Sequence, residues 1–522
     1  MDDGYSSFKE LIFGHYAGFG EKTAFQVLGK KAAVYTFSDL AAHVKAVGDV
    51  LEQLTPHHCN IGLVSFNSYF GIIAALAVIC TGNCVIPIDA ELSDEAILNQ
   101  VEFADCSMVI CSDEFEGLFR GVMPTLRLEA LRELIYHGKM PDICGMEVRE
   151  KPVLHKGAAM IVFTSGTTAV PKGVMLSEKN IIAVVKGSNR YLKPVGSVFC
   201  FLPLYHTYSF VCGILGTLAT GEQIILNDSM RNFTKNLKNA EPHMIFAVPL
   251  ILDRVKRSIT ENAERSGQRR KLERMRKVSR ILLRLGIDIR KKVFSQIREQ
   301  LGGVLDTVIC GGAPLSGDTV AFFRDIGITV LNGYGITECA PLVAVMTNKA
   351  HSRAKDGSAG KPVYTCEVRI DAANDGDDGE ILVHGENVML GYYKNPEATE
   401  NVLRNGWLYT GDVGHMDRYG NLYIRSRKKN MILLGNGKNV YPEELEEILG
   451  RVSGVSESVV FLGENEKITA EIYCEDGAAV HSNVKMQIEK ANQEIPLYAQ
   501  IREIVFRNKP FDKTTSQKIK RR

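Results

Sequence analysis

Apolar positions recur in two alternating rhythms along most of the chain. From Phe37 onward Leu40, Val44, Val47 and Leu51 fall at helical spacing, and the short β-branched runs Ile61 to Ser65 and Cys84 to Ile88 follow. Helices alternating with buried strands predict a parallel α/β sheet. The rhythm returns at Ala158 to Phe163, Val198 to Leu202, Gln223 to Leu226, Met244 to Val248, Thr307 to Cys310 and Thr329 to Leu331. Each run gives way to Gly, Pro, Ser or Asn, which places polar loops at strand ends, where open α/β sheets bind ligands. After Ile370 the pattern changes. Gly379 to Val383 and the turn Tyr419-Gly420-Asn421 predict an antiparallel β subdomain with a hairpin. Beyond Arg427 a small α/β unit is expected, with a Pro-started acidic helix at Pro442 to Leu449, strands near Val459 and Ile472, and a helix near Val484 to Ile495.

The chain has 522 residues, 45% hydrophobic and 24% charged, enough apolar mass for several cores. That excludes a minimal binding module and wholesale disorder. Lys and Arg total 62 against 61 Asp and Glu, so no global field attracts nucleic acid, and none is expected as a partner. The balance is uneven locally: between Asp253 and Glu299 sixteen Lys or Arg face six Asp or Glu. This segment reads as a solvated amphipathic helix pair, or as a face that transiently meets anionic lipid or an acidic carrier protein. The 12 cysteines form no CxxC pair and have no clustered His, which predicts packed free thiols in a reducing cytoplasm rather than zinc or disulfides. The acidic start, Met1-Asp2-Asp3, is unlike a signal peptide, and the longest apolar stretch, Gly71 to Cys80, is too short for a transmembrane segment.

Two segments carry chemistry. Thr164-Ser165-Gly166-Thr167-Thr168-Ala169-Val170-Pro171-Lys172-Gly173 follows a predicted buried strand and gathers hydroxyls, glycines and one lysine. Backbone N–H groups, O–H groups and a cation on such a loop wrap phosphate oxygens. The spacing is not that of a P-loop. Asn332-Gly333-Tyr334-Gly335-Ile336-Thr337-Glu338 is expected to be a second loop, whose glycines admit a flat ligand, whose Tyr334 offers a stacking face and whose Glu338 suits Mg²⁺ beside phosphate.

With Tyr205-His206, Gly311-Gly312-Ala313-Pro314, Trp407-Leu408-Tyr409-Thr410-Gly411-Asp412, Arg427-Lys428-Lys429 and Lys513-Thr514-Thr515-Ser516-Gln517-Lys518-Ile519, these segments resemble, in order and over nearly the whole chain, the adenylate-forming superfamily of acyl-CoA synthetases, adenylation domains and firefly-type luciferases. The resemblance implies a large AMP-binding domain, 1–426, of two α/β sheet subdomains plus the antiparallel β subdomain. It implies a small mobile C-terminal α/β domain, 427–522, carrying a hinge and a catalytic lysine. By the same resemblance Thr164, Ser165, Gly166, Thr167, Thr168 and Lys172 hold the β and γ phosphates of ATP, and Gly312, Ala313, Pro314, Gly333 and Tyr334 bind the nucleotide. Thr337 meets the α-phosphate, Glu338 ligates Mg²⁺, Asp412 takes the ribose hydroxyls, and Arg427 makes a second contact with ribose or phosphate. Lys518 is the adenylation lysine, a point cation suited to charge growing on the carboxylate and α-phosphate. Lys429 matches the hinge, Gly437 lies in a loop that lines a thiol tunnel, and His206 stands beside the carboxylate substrate. Gln517 departs from the family, where glycine is usual.

Tyr205 to Phe210 contains no acid to pair with a substrate ammonium, so an uncharged acyl tail is favoured over an amino acid. The apolar segments Phe210 to Gly216 and Ala340 to Val345 suit an acyl channel or core packing equally. The segment Leu433 to Glu444 looks most like bacterial long-chain fatty acyl-CoA synthetases. The expected reaction activates a fatty acid through acyl-AMP and transfers it to CoA. The alternatives are the pantetheine of an acyl carrier protein as acceptor, an amino-acid adenylating enzyme, and a nucleotide-binding protein without turnover.

Overall fold

The computed structural model describes residues 4–55, 58–141, 148, 157–164, 172–191, 196–347, 357–374, 376–434, 438–464, 467–513 and 519–521. The chain forms two compact units: Met1–Gly166, Val170–Glu367 and Val383–Leu408 make the first, and Thr167–Ala169, Val368–Leu382 and Tyr409–Arg522 the second.

Among the described residues the first unit holds two large sheets. The nine-stranded sheet runs, edge to edge, Lys361–Pro362, Leu342–Val345, Thr329–Gly335, Thr307–Cys310, Met244–Ala247, Ser197–Cys200, Gln223–Leu226, Thr23–Val27 and Ala33–Thr36. Its strands from Thr329–Gly335 to Thr23–Val27 are all parallel, and antiparallel strands close both edges. The seven-stranded sheet runs Gly391–Tyr392, Lys172–Ser177, Ala158–Thr164, Cys84–Ile88, Asn60–Val64, Cys106–Cys111 and Thr125–Arg127. The α/β class and the alternation expected from the sequence are present.

Local chemistry explains the elements between the strands. Helix Phe37–Leu54 starts at a capping box in which Asp39 N donates to Thr36 Oγ1 (3.0 Å) and Thr36 N donates to Asp39. It turns Leu40, Val44, Val47 and Leu51 inward, as their spacing predicts. Helix Tyr69–Cys80 is buried all round, which accounts for the longest apolar run in the chain. None of the described helices is long and apolar enough to cross a membrane. The described cysteines are buried, apart from the half-buried Cys366.

The basic segment forms helices Pro249–Arg265, Arg269–Arg284, Arg290–Val293 and Ser295–Gln300. Asp325, 2% exposed at the end of helix Gly317–Asp325, anchors the second of these. Its carboxylate accepts from Arg276 Nη2 (3.0 Å) and from Arg280 Nε (3.1 Å), and its carbonyl accepts from Ser279 Oγ (3.1 Å).

In the second unit, strand Trp407–Met416 pairs through Asp412 to Met416 with Leu422–Arg427, which is the hairpin read from Tyr419-Gly420-Asn421. A three-stranded sheet, Glu457–Leu462, Ile468–Tyr473 and Glu503–Arg507, carries helices Pro442–Leu449 and His481–Asn492 on a core that includes Leu445, Ile472, Val484 and Ile488. The second helix stops before Ile495 because Asn492 turns its amide to the backbone of Ile501, at 2.8 and 3.0 Å.

Two expected loops are shorter than the sequence suggests. Thr329–Gly335 continues as strand through Asn332-Gly333-Tyr334-Gly335, because Asn332 pairs parallel with Cys310 and Gly333 to Gly335 pair antiparallel with Leu342–Val345. Gly335 permits this: a Cβ there would lie 1.9 Å from the Pro341 carbonyl oxygen. Thr164 and Lys172, expected at the two sides of a ten-residue loop, are likewise strand residues, paired with each other.

Candidate functional site

The strands of the nine-stranded sheet that end in Cys200, Ala247, Cys310 and Gly335 are parallel neighbours, so the segments that follow them leave one edge of the sheet. After Cys200 comes Pro203 to His206, held to the helix-bearing part of the unit by Asn67. The Asn67 amide donates to Leu202 O (2.8 Å) and accepts from Leu204 N (3.0 Å). The His206 ring is half-buried and tilted against Tyr205 at 4.3 Å between centroids. The π-helical segment Tyr208–Leu215 follows, and Tyr208 Oη donates to Ile309 O (3.0 Å). Burial pushes this hydroxyl well above its ordinary value, so it stays a neutral donor.

Tyr208 also supports the Gly311-Gly312-Ala313-Pro314 turn. A Cβ at Gly311 would stand 3.4 Å from its ring, and Gly312 has φ +85°, a conformation that favours glycine. Gly333 and Tyr334 lie on the adjacent strand, with Tyr334 9% exposed. The apolar segments Phe210 to Gly216 and Ala340 to Val345 are packed in the core.

Glu338 sits in the short turn Thr337–Cys339 that follows this strand. Its Oε1 accepts from Tyr392 Oη at 2.8 Å. The Lys172 ammonium lies 4.7 Å from the centroid of the same Tyr392 ring, a cation–π contact, and Thr164 Oγ1 donates to Lys172 O (3.4 Å). Tyr392 therefore joins Lys172 and Glu338, which are far apart in sequence, with Thr164 bonded to the Lys172 carbonyl and Thr337 next to Glu338 in its turn. It is placed by backbone pairing of Gly391–Tyr392 with Met175 and Val174. The preceding residues are pinned by Met389 N donating to Glu338 O (2.9 Å) and by the Asn180 amide donating to Glu386 O and Val388 O (both 2.8 Å). No hydrogen bond reaches Glu338 Oε2 among the described residues. One carboxylate oxygen held by a phenol and one left open suits a hard cation that arrives with phosphate. Sequence reasoning missed Tyr392, since Gly391-Tyr392-Tyr393 belongs to no spaced pattern.

In the second unit, Asp412 and Arg427 are cross-strand partners, and Arg427 Nε lies 2.8 Å from the Asp412 carboxylate. Asp412 is 4% exposed; Arg427 is exposed and also donates to Thr410 O (3.3 Å). Lys428 pairs with Glu380 at 2.6 Å, and Lys429 is exposed in the turn after Arg427. The C-terminal segment is tied at both ends. Lys513 pairs with Glu457 (2.5 Å) and bridges Ile519, while Arg521 pairs with Glu443 (3.5 Å) and Glu446. Between these ties lie Gln517 and Lys518, outside the described residues, as are Ser165, Gly166, Thr167, Thr168 and Gly437.

The chain matches the AMP-binding enzyme family over residues 14–393 and the AMP-binding enzyme C-terminal domain over residues 429–522. Long-chain-fatty-acid--CoA ligase FadD15 of Mycobacterium bovis is 28% identical over 77% of this chain and 70% of its own length. Long-chain-fatty-acid--CoA ligase 5 of Rattus norvegicus is 30% identical over 75% of this chain, which spans only 63% of that relative. Among solved structures, o-succinylbenzoate CoA synthetase of Bacillus subtilis with its acyl-adenylate intermediate superposes with TM-score 0.76 at 22% identity, covering 98% of this chain and 97% of that one. An anthranilate CoA ligase with anthranoyl-AMP superposes with TM-score 0.79 at 18% identity, over 100% and 97%.

Two predictions follow from this geometry. Tyr392→Phe removes one neutral donor to a carboxylate while keeping the ring under Lys172. It should weaken MgATP binding by about threefold to tenfold, read by calorimetry, with an unchanged melting temperature. Glu446 is largely buried, and burial, opposed by Arg521, pushes its carboxyl up from 4.5 to about 7. A folded value above the unfolded one contributes stability that is fully present below about pH 4.5 and lost as pH rises through about 7. The difference in stability between wild type and Glu446→Gln should therefore shift against the wild type from pH 5 to pH 8 by about 2 kcal/mol, read from unfolding at both pH values.

Proposed function

The chain belongs to the AMP-binding enzyme family, and from that premise we propose that it joins a long-chain fatty acid to CoA through an acyl-adenylate. The observation that carries the reading is the meeting of Lys172 and Glu338 on Tyr392 at the strand ends, in a chain whose relatives are named long-chain-fatty-acid--CoA ligases.

A carboxylate oxygen of the acid attacks the α-phosphorus of MgATP, the bond to the bridging oxygen breaks, and pyrophosphate leaves with the electron pair. The CoA thiolate then attacks the acyl carbonyl, and AMP leaves as the thioester forms. Lys172, Thr164 and the 165–168 segment hold the β and γ phosphates, and Thr337 orients the α-phosphate. Glu338, fixed by Tyr392, takes the Mg²⁺ that accompanies ATP. Gly312, Ala313, Pro314, Gly333 and Tyr334 bound the nucleotide, and the Asp412–Arg427 pair receives the ribose. His206 closes the carboxylate side. Lys518 adds a cation where negative charge grows, which favours the transition state over the ground state. We place the functional division at 426/427, with Lys429 as the hinge that exchanges Lys518 for the loop around Gly437. Positioning and charge neutralisation carry the catalysis.

A panel of straight-chain fatty acids, aryl acids and amino acids, with MgATP and with or without CoA, tests the reading. Pyrophosphate release should require a long-chain acid, acyl-CoA should appear only with CoA, and Lys518→Ala should lower both by about a hundredfold or more. Release driven by amino acids, acyl transfer only to a carrier protein, or ATP binding with no turnover would each contradict it.

A further inference from the structure

Helix Arg269–Arg284 is bound to the first unit along one side. Leu272 and Ser279 are buried there, and Asp325 holds Arg276 and Arg280. The opposite side carries Val278, Ile281 and Leu285, which are 49%, 58% and 70% exposed, and Ile287 beyond the helix end is 51% exposed. At about 100° per residue Val278, Ile281 and Leu285 share one arc with Arg270, Lys271, Arg274, Lys277 and Arg284. These five cations have no ion-pair partner among the described residues, whereas Arg269 is neutralised by Glu264 and Glu273. Glu273, the helix's single acid, lies off this arc on the flank with Arg269.

A convex row of branched aliphatics rimmed by unpaired cations matches a surface that is anionic outside and fluid and apolar just beneath. We propose that this face docks on an anionic lipid bilayer. Val278, Ile281 and Leu285 enter the boundary between headgroups and acyl chains, and the lysine and arginine stems lie along it with their charges on lipid phosphates. An acidic protein would satisfy the cations but leave the central aliphatic row without a complement, since the row projects from a helix and lines no groove. The attraction weakens with salt, as expected for charges screened over about 10 Å at 0.1 M. The inference is independent of the ligase reading, because its test measures lipid binding and not turnover.

Flotation of the full chain with vesicles tests it, comparing phosphatidylcholine alone with phosphatidylcholine containing about one-third phosphatidylglycerol. The bound fraction should favour the anionic vesicles by at least about tenfold. Arg274→Glu with Lys277→Glu should lower that binding by about tenfold or more, and Ile281→Ser with Leu285→Ser by a similar factor. Lys30→Glu with Lys139→Glu makes the same change in net charge away from the patch, with Lys30 in the turn before the far edge strand of the nine-stranded sheet. It should bind as the wild type does. All substituted side chains are exposed, and melting curves confirm that each variant folds. Equal binding to neutral vesicles, patch variants that bind normally, or a control pair that loses as much would overturn the proposal. So would salt-sensitive capture of an acyl carrier protein through these cations while vesicles remain unbound.

Discussion

Two parallel strands cannot be joined by a tight turn, so each parallel strand of the nine-stranded sheet is returned by a crossover that starts at the same edge. That constraint brings Pro203 to His206, Gly311 to Pro314 and Thr337 to Glu338 to one rim, although they span more than a hundred residues of sequence. Parallel strands must also be covered on both faces, and in the seven-stranded sheet helix Tyr69–Cys80, buried apart from Phe70, does so as the crossover between Asn60–Val64 and Cys84–Ile88. Antiparallel strands are confined to the edges, and there they do something different: Leu342–Val345 extends the pairing of Tyr334, and Lys172–Ser177 places Tyr392.

The candidate site residues of the first unit are held by the structure around them. Tyr392 is anchored by backbone pairing, Glu338 by Tyr392 and by Met389, and the His206 segment by Asn67. Side chains fixed before substrate arrives need little reorganisation when charge develops, and that is how hydrogen bonds of ordinary strength become effective in catalysis. The second unit, taken by itself, holds the pair Asp412 with Arg427, set by cross-strand register, and a C-terminal segment tied through Glu443, Glu446 and Glu457.

Periodicity revealed the elements well where a segment buries one face or is buried all round. Helix Pro442–Leu449 and strands Gln223–Leu226 and Thr307–Cys310 lie where the pattern put them. It failed where tertiary pairing decides. Asn332 to Gly335 reads as a loop because it is rich in Gly, yet pairing with the neighbouring strands makes it strand, and Gly is there because the Pro341 carbonyl is so close. The end of helix His481–Asn492 depends on a side chain bonding to Ile501, which no local pattern encodes. Among the candidate site residues, those in motifs are named by resemblance. Asn67, Tyr208 and Tyr392 are not, because their role is to support other residues across long sequence separations.

In the proposed reaction the acid is activated as an acyl-adenylate. Carboxyl-¹⁸O-labelled fatty acid, turned over with MgATP and CoA, tests it through the fate of one oxygen. Attack on the α-phosphorus leaves that oxygen on AMP, so mass spectrometry should find the label in AMP and none in pyrophosphate. Label in inorganic phosphate, with ADP as the nucleotide product, would mean attack on the γ-phosphorus and would contradict the account.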